Sequence, residues 1–313
     1  MKYYLAPLEG VTTYVYRNAY HKHFYPMDKY FTPFIVPHKE KKFSTREKKE
    51  LSPENNQGFF VVPQLLTNNA EDFLKTAKDI ADFGYDEINL NLGCPSGTVV
   101  AKNKGSGFLA FPDELDRFLD RIFNVADFKI SIKTRIGKEN PEEFYHLLEI
   151  YNKYPLEELI VHPRVQTDFY KNTPNWDMYK EAYKHSKNPL CYNGDIFTLD
   201  KYQEFMERFP KTDTIMLGRG IIGNPALVNE IEQKGSITKE QLLAFHDMIY
   251  EEYKQISSGD RNVLFKMKEL WFYMAGLFLE SDKYMKKIKK SERLKDYDIV
   301  IQMLFENCTM KEG

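Results

Sequence analysis

The chain has three cysteines among its 313 residues, and one of them follows a run with the pattern of a β-strand. The stretch INLNLGCPSG (88–97) alternates isoleucine and leucine with asparagine up to Leu92, and then turns at Gly93 into Cys94. A cysteine at a strand end can serve as a nucleophile, a metal ligand or a proton donor, or it can fill space as a small apolar side chain. The residue type alone leaves these four roles open.

Polar side chains follow most of the other strand-like runs. They are Gln64, Asn91, Lys133, Arg135, His162, Arg164, Asn193, Asp195 and Arg219. The set contains no carboxylate pair for glycoside hydrolysis and no Ser–His–Asp arrangement, and its single acid, Asp195, is too little for a metal cage. No Cys/His cluster has zinc-finger spacing, so the sequence predicts no metal site and, with three scattered cysteines, no disulfide framework.

Two of these side chains suit a flavin. Gln64 can donate and accept hydrogen bonds along the amide edge of the flavin pyrimidine ring, and Lys133 can neutralise the negative charge that a reduced flavin carries near N1 and C2=O. Structural interpretations stay open beside these, because a lysine near a strand end can form a salt bridge inside a barrel. His162 can likewise hydrogen-bond within the core.

Eight strand-like runs must position these side chains. They cover residues 3–8, 29–35, 59–66, 87–92, 129–134, 158–163, 190–193 and 214–218, and they alternate with helical stretches such as 69–84, 112–125 and 198–209. This alternation predicts parallel βαβ units, and eight of them close a (β/α)8 TIM barrel in which the strand ends converge on one site. A doubly wound open sheet is the alternative, but polar residues at nearly every strand end favour the barrel.

The pattern changes near residue 237, where strands stop. Segments 237–256, 261–280 and 282–305 all have helical patterns. The sequence therefore predicts an α/β TIM-barrel domain over 1–236 and a small helical domain over 237–313. Residues 283–295 hold seven basic residues and one acidic residue, which is typical of a solvated helix face. A second charged stretch, 38–50, is predicted to lie in a long loop after the second strand.

Residues 218–223 read GRGIIG, which matches the G-x-G-x-x-G fingerprint of a dinucleotide site. The fingerprint needs a further parallel strand after its helix, whereas only helical patterns follow here. In a TIM barrel, the loops after the seventh and eighth strands commonly bind phosphate. The loops NGDI (193–196) and GRG (218–220) occupy those places, which favours a mononucleotide such as FMN over NAD. Tight turns that need glycine for backbone reasons are the alternative.

Composition restricts the class of protein. The formal net charge of −2 excludes a globally basic nucleic-acid binder but not a local basic patch. No run approaches the ~20 apolar residues that span a bilayer, and MKYYLAPLEG lacks the apolar core of a signal peptide. We therefore expect a cytoplasmic protein with no membrane contact.

The order and spacing of several motifs resemble those of the tRNA-dihydrouridine synthases, which are flavin barrels with a C-terminal helical RNA-binding domain. The motifs are NLGCP (91–95), KNKGSGFL (102–109), IKTR (132–135), VHPR (161–164), NGDI (193–196) and LGRG (217–220). The resemblance runs from 5–12 through 215–225 and continues more loosely into the helical tail. One departure concerns HPRVQTDFY (162–170), where the family often has His-Gly-Arg-Thr, and it bears on the RNA-contact role of that loop.

The resemblance implies a role for each site residue. Cys94 is the expected general acid, Asn91 and Arg135 are expected to contact the target uracil, and Lys102 and Arg164 are further candidates for substrate or RNA contact. The residues expected to bind FMN are Pro7, Leu8, Gln64, Lys133, His162, Asn193, Gly194, Asp195, Gly218 and Arg219.

The implied activity is the reduction of uridines in tRNA to 5,6-dihydrouridine, with NADPH reducing FMN. The target uridine is expected to leave the base stack in order to reach the flavin. A monomer that binds tRNA without an obligate protein partner is expected. Two rivals remain: a flavin barrel that reduces a small molecule, and a non-catalytic RNA-binding protein with a vestigial flavin site.

Overall fold

A computed structural model describes residues 1–311 of the chain. The chain divides into two compact units that alternate along the sequence. The first unit consists of Met1–Pro7, Asp28–Asp195 and Phe205–Leu217, and the second of Leu8–Met27, Ile196–Glu204 and the chain from Gly218 onward. The sequence predicted two domains that meet once, after residue 236, whereas each unit here is made of three segments of the chain. That domain boundary stays a prediction.

Nine short strands form one parallel sheet in the first unit. They are β1 (Lys2–Leu5), β2 (Lys29–Phe31), β3 (Val61–Val62), β4 (Gln64–Leu65), β5 (Glu87–Leu92), β6 (Lys129–Gly137), β7 (Glu158–Val165), β8 (Leu190–Tyr192) and β9 (Thr214–Leu217). Their order is β3-β2-β1-β9-β8-β7-β6-β5-β4. The two outermost strands, β3 and β4, are consecutive in the chain and only Pro63 separates them, so the sheet returns to its start.

Pro63 explains why the predicted third strand, 59–66, forms as two halves. Proline has no N–H to give to a ladder, so it breaks regular pairing. Its carbonyl still accepts from the Asn89 N–H at 2.9 Å, and Ile35 bridges the other side, with its N–H 2.8 Å from the Gln64 carbonyl. One half pairs with β2 and the other with β5. The predicted TIM barrel is thus confirmed, with its third strand in two pieces.

Contacts across the barrel identify its inner face. Tyr4 on β1 donates to Glu158 on β7 at 3.0 Å, and Lys29 on β2 contacts Glu87 on β5 at 2.8 Å. Neither pair of strands is adjacent in the sheet, so these side chains meet in the interior. Because alternate residues of a strand share a face, Asn89 and Asn91 follow Glu87 on the inner face of β5.

The helices number fourteen within residues 1–311. They are α1 (Tyr14–His23), α2 (Thr45–Leu51), α3 (Ala70–Ala81), α4 (Gly97–Val100), α5 (Pro112–Phe123), α6 (Glu143–Tyr151), α7 (Trp176–His185), α8 (Leu199–Arg208), α9 (Arg219–Gly223), α10 (Leu227–Ile231), α11 (Lys239–Ile256), α12 (Asp260–Met274), α13 (Asp282–Lys290) and α14 (Leu294–Asn307). Short 3₁₀ helices cover Pro53–Asn55, Gly105–Ala110, Gln166–Asp168 and Ala275–Leu277.

Capping side chains set several helix starts. Asn69 caps α3 as its sequence position predicts, with its side chain accepting from the Asp72 N–H at 2.9 Å. The prediction of a loop over 38–50 is wrong for its second half, which forms α2. Ser44 and Glu47 make a reciprocal capping box there, and each satisfies a backbone N–H at the start of the helix.

The second unit is helical, and α1 belongs to it. Tyr16 of α1 packs edge-on against Phe245 of α11 with ring centres 5.5 Å apart, and the Thr13 and Tyr253 hydroxyls are 2.9 Å apart. The single helix predicted over 282–305 is instead α13 and α14. Ser291 ends α13: its ψ of 130° leaves the helical region, and its hydroxyl donates to the Lys287 carbonyl at 3.0 Å. Within residues 1–311, no helix has the length and apolarity to cross a membrane.

Candidate active site

A chain of buried amides lies on the inner face of the barrel. Gln64 donates to Asn89 at 2.8 Å and accepts from Asn91 at 2.7 Å, while Asn89 donates to Ser131 at 2.9 Å. All four side chains are buried. These bonds fix which end of each amide donates, so the predicted pair Gln64 and Asn91 does meet at the strand ends and has a defined orientation.

Hydrogen bonds hold both the N–H and the carbonyl of Cys94. The side-chain oxygen of Asn91 accepts from the N–H groups of Gly93, at 3.0 Å, and Cys94, at 2.9 Å. The carbonyl of Cys94 accepts from the Ser106 N–H at 3.1 Å and from the Ser106 hydroxyl at 2.8 Å. The residue is half-buried. Hydrogen bonds to Asn91 and Ser106 therefore hold the Cys94 backbone just after the end of β5.

Gly105 completes this support. Its φ is +56°, and a Cβ there would lie 2.8 Å from the Cys94 carbonyl oxygen and 3.1 Å from the Cys94 Cβ. Only glycine allows both this backbone conformation and this approach. Gly105 and Ser106 of the motif KNKGSGFL thus pack against the Cys94 loop and support it. The sequence alone did not show this role.

Lys133 on β6 is the register partner of Asn91 on β5. Its ammonium group is desolvated, and burial, with Arg135 nearby, lowers the pKa of Lys133 to about 8. Within residues 1–311, the Lys133 side chain has no hydrogen bond and no ion pair. A desolvated cation without an anion is costly unless a bound group compensates it.

Arg135 is fully buried and fastens two loops together. Its guanidinium donates to the carbonyls of Gly93 at 2.9 Å, Val165 at 2.9 Å and Phe169 at 2.7 Å. Gly93 precedes Cys94, Val165 is the last residue of β7, and Phe169 lies in the loop after β7. The structure therefore gives Arg135 a positioning role, and its predicted contact with the target uracil stays a prediction.

Arg164, 1% exposed, joins His162 to Asp195. It forms a two-pronged ion pair with Asp195, donates to His162 Nε2 at 2.9 Å and donates to the Asn172 carbonyl at 2.6 Å. A guanidinium can only donate, so His162 accepts at Nε2 and carries its proton on Nδ1. These bonds hold the Arg164 guanidinium inside the protein, and its predicted contact with substrate or RNA stays a prediction.

The glycine of the NGDI loop has a packing reason. A Cβ on Gly194 would lie 1.9 Å from the Tyr192 hydroxyl oxygen, and that hydroxyl is held by Trp176 Nε1 at 2.8 Å. The side-chain amide of Asn193 donates to the Met216 carbonyl at 2.8 Å. Packing against Tyr192 therefore accounts for Gly194, rather than the turn conformation of the predicted alternative, and a phosphate role for this loop stays a prediction.

Three residues predicted to bind the cofactor lie in the second unit: Leu8, Gly218 and Arg219. The N–H of Leu8 is bonded to the Thr12 hydroxyl at 2.8 Å. Gly218 precedes the single turn of α9, and the Arg219 guanidinium lies 5.4 Å from the centre of the Phe197 ring.

The two remaining predicted residues, Pro7 and Lys102, belong to the first unit. Pro7 is half-buried, whereas the Lys102 side chain is exposed. The carbonyl of Lys102 accepts from the Asn68 amide at 3.2 Å, which holds the chain after α4.

Sequence reasoning missed three residues of the site. Asn89 links Gln64 to Ser131, and its place two residues before Asn91 on the same strand face could have revealed it. Ser106 holds Cys94. Tyr170 stacks on His162 with ring centres 6.3 Å apart, and its ring centre lies 5.3 Å from the Arg135 guanidinium. Its only sequence signal is its place at the end of HPRVQTDFY.

Comparison with known proteins decides the family. The family model described as dihydrouridine synthase (Dus) matches residues 4–307. The chain belongs to this family. Among the relatives of this dihydrouridine synthase, a probable tRNA-dihydrouridine synthase of Staphylococcus aureus (strain Mu50) is 29% identical over 263 residues, covering 80% of this chain and 78% of the relative. The probable tRNA-dihydrouridine synthase 2 of Bacillus subtilis is 28% identical over 262 residues, with the same coverage.

Solved structures show the same barrel. The old yellow enzyme from Trypanosoma cruzi superposes with a TM-score of 0.54 at 10% identity, covering 82% of this chain and 94% of that one. Morphinone reductase gives a TM-score of 0.52 at 13% identity, covering 78% and 88%. At these identities the likeness shows the fold alone. The resemblance inferred from the motifs is confirmed by the family match, and the chain is an oxidoreductase that acts on tRNA.

Proposed function

We propose that this dihydrouridine synthase reduces particular uridines of tRNA to 5,6-dihydrouridine with FMN as its redox group and NADPH as the reductant, and that Cys94 is its general acid. One observation carries the proposal. The backbone of Cys94 is held just after the end of β5, and on the neighbouring strand β6 a desolvated lysine has no anion within residues 1–311.

The donor set fits a flavin. Lys133 offers a positive charge that the protein leaves uncompensated, and reduced flavin has negative charge near N1 and C2=O. Beside it, the NH₂ group of Gln64 has a second hydrogen beyond the one given to Asn89, and it can donate to a ring carbonyl. When bound, the flavin supplies the hydride that uracil receives at C6.

The chain's own contribution is the proton at C5. A thiol can serve as a general acid, and the proposal assigns that proton to Cys94. Asn91 and Ser106 hold its backbone, and Arg135 ties the same loop to the one after β7. A fixed donor loses little entropy on reaching the reacting carbon.

The remaining assignments belong to the same proposal. His162, fixed as the Nδ1–H tautomer by Arg164, can donate to the flavin ring. The ribityl chain and phosphate are assigned to Asn193, Gly194, Asp195, Gly218 and Arg219, with the backbone near Pro7 and Leu8 at the ring. Asn91 retains one amide hydrogen for the uracil, beyond the one given to Gln64, and Lys102 is exposed for RNA contact.

The test uses purified protein with FMN, NADPH and unmodified tRNA, and it counts dihydrouridine by nucleoside mass spectrometry. We expect Cys94→Ala to lower dihydrouridine formation by about 10²–10⁴-fold while NADPH is still oxidised through the bound flavin. Cys308→Ala is the matched control, because Cys308 is buried at the end of α14, and it should keep full activity. Full activity in Cys94→Ala contradicts the role of Cys94.

A further inference from the structure

The helix α12 packs directly against the turn that follows β1. Lys266 donates to the Gly10 carbonyl at 2.7 Å, and the Glu269 carboxylate lies 3.8 Å from the Lys266 ammonium group. The cavity that these three residues line with their neighbours on α1 and α11 has a volume of about 10 Å³, which is at the lower limit for holding one water molecule. A charged donor makes the bond from Lys266 stronger than a bond between neutral groups.

The turn itself has a defined backbone conformation. The N–H of Val11 donates to the Leu8 carbonyl at 3.0 Å, which closes a four-residue turn. Gly10 is the third residue of that turn, and its φ of +83° is the value that a type II turn requires there. Local bonds thus close the turn, and the Gly10 carbonyl is the acceptor through which Lys266 ties it to α12.

This turn belongs to the same compact unit as α12. The second unit contains Leu8–Met27 as well as the chain from Gly218 onward. Two segments assigned to FMN, the turn at Leu8 and the start of α9 at Gly218 and Arg219, are therefore grouped with the C-terminal helices and not with the strands of the barrel.

The short helix α9 also contacts α12. A Cβ on Gly223, the last residue of α9, would lie 3.5 Å from the Tyr273 carbonyl oxygen on α12. On another side of α9, a Cβ on Gly220 would lie 2.0 Å from the Ile196 carbonyl oxygen. Only glycine allows that approach. One helix thus contacts both of the segments of its unit that are assigned to the cofactor.

We infer that α12 supports the FMN site and that Lys266 is a positioning residue, which holds the turn at Leu8–Gly10 in the conformation that receives the flavin. The inference rests on the proposed function for the assignment of FMN to this turn. A turn that is already ordered loses little conformational entropy when a ligand binds, so a loosened turn binds more weakly. The C-terminal helices are then needed for cofactor binding, independently of any RNA.

The experiment measures the affinity of flavin-free, full-length variants for FMN by the quenching of flavin fluorescence. Lys266→Met should bind FMN about five- to tenfold more weakly, because a hydrogen bond from a charged donor is lost. Lys266→Gln, a milder change, is measured beside it and should weaken binding in the same direction. Lys266→Arg keeps a charged donor and should bind within about threefold of the wild type.

Lys268→Met is the matched control. Lys268 lies on the same helix, is half-buried like Lys266, and donates to a backbone carbonyl, that of Ser291 at 2.6 Å. Both methionine variants lose one bond of the same kind, so urea unfolding of the flavin-free proteins should show similar losses of stability. Only Lys266→Met should lose FMN affinity. Affinities that fall in parallel in Lys266→Met and Lys268→Met overturn the inference, because the role of Lys266 is then general stability.

The outcomes also separate this inference from the proposed function. If the wild type binds FMN but forms no dihydrouridine, the proposed function is overturned, and weaker FMN binding by Lys266→Met still supports the inference. If the wild type forms dihydrouridine and Lys266→Met binds FMN with unchanged affinity, the inference alone is overturned. A wild type that binds no FMN overturns both.

Discussion

Two lysines on the inner face of the barrel differ in what surrounds them. Lys29 lies 2.8 Å from Glu87, and although burial alone lowers its pKa, attraction and hydrogen bonding to Glu87 raise the pKa overall. Lys133 has no such partner within residues 1–311, and burial lowers its pKa to about 8. At one end of the interior a lysine is paired with a carboxylate, whereas at the other a lysine has no anion within residues 1–311.

The difference separates stability from function in one barrel. At the paired end, Tyr4 also donates to Glu158, so four polar side chains form two interior contacts. At the end that carries Cys94, hydrogen bonds hold the backbone of the Cys94 loop, and the Lys133 side chain has no anion within residues 1–311. Uncompensated groups of this kind concentrate at functional sites.

The largest expected effect comes from breaking the paired end. Lys29→Met should lower the free energy of unfolding by about 3–5 kcal/mol, because it leaves the Glu87 carboxylate buried without its cation. Lys133→Met in flavin-free protein should leave that free energy unchanged or raise it by about 1–3 kcal/mol, because it removes a desolvated charge. Urea unfolding of both variants measures the difference. An equal loss in the two variants refutes the distinction.

The pH dependence of stability sharpens the comparison. Burial raises the pKa of Glu158 to about 7 from 4.5, against the opposing influence of Lys29 and Tyr4 and with support from the nearby Glu87. The folded state therefore holds this proton more tightly, so its stabilising contribution is complete below about pH 4.5 and is lost as the pH rises through about 7.

Glu158→Gln removes this titration. We expect wild type to lose about 3 kcal/mol more of its unfolding free energy than Glu158→Gln between about pH 4.5 and about pH 8. Chemical unfolding across that range measures both. Parallel pH profiles for the two proteins would show that Glu158 titrates normally.

A smaller effect is expected at Gly105, which packs against the Cys94 loop. Gly105→Ala should cost about 1–3 kcal/mol and reduce dihydrouridine formation, because its Cβ would press on the Cys94 carbonyl. Gly58→Ala is the matched control: Gly58 also has a positive φ, +85°, but a Cβ there meets nothing within 4 Å. Activity and unfolding free energy are measured for both. Equal activity losses would remove the Cys94 contact as the cause.

Which residues meet at the strand ends was predictable from the sequence, because barrel closure brings the carboxyl ends of parallel strands together. Gln64, Asn91, Cys94, Lys133 and His162 were found in this way. The family followed from motif order, which no single motif would have supported.

The partners of these residues were not predictable. The sequence predicts Arg135 and Arg164 as ligand-binding cations. In the structure the Arg135 guanidinium donates to backbone carbonyls, and the Arg164 guanidinium forms an ion pair with Asp195. Those acceptors lie on other loops, whose path depends on the whole fold. The break at Pro63 and the grouping of α1 with the C-terminal helices likewise arise from tertiary packing, which local pattern does not encode.

The redox behaviour of bound FMN tests the central claim most directly, namely that Lys133 is the cation kept for a reduced flavin. The measurement is the reduction potential of FMN bound to wild type and to Lys133→Met, with exposed Lys78→Met as the control. We predict that Lys133→Met loses about tenfold or more in affinity for reduced relative to oxidised FMN, so the potential becomes more negative, because a charge-assisted contact is lost. An unchanged potential in Lys133→Met would contradict the account.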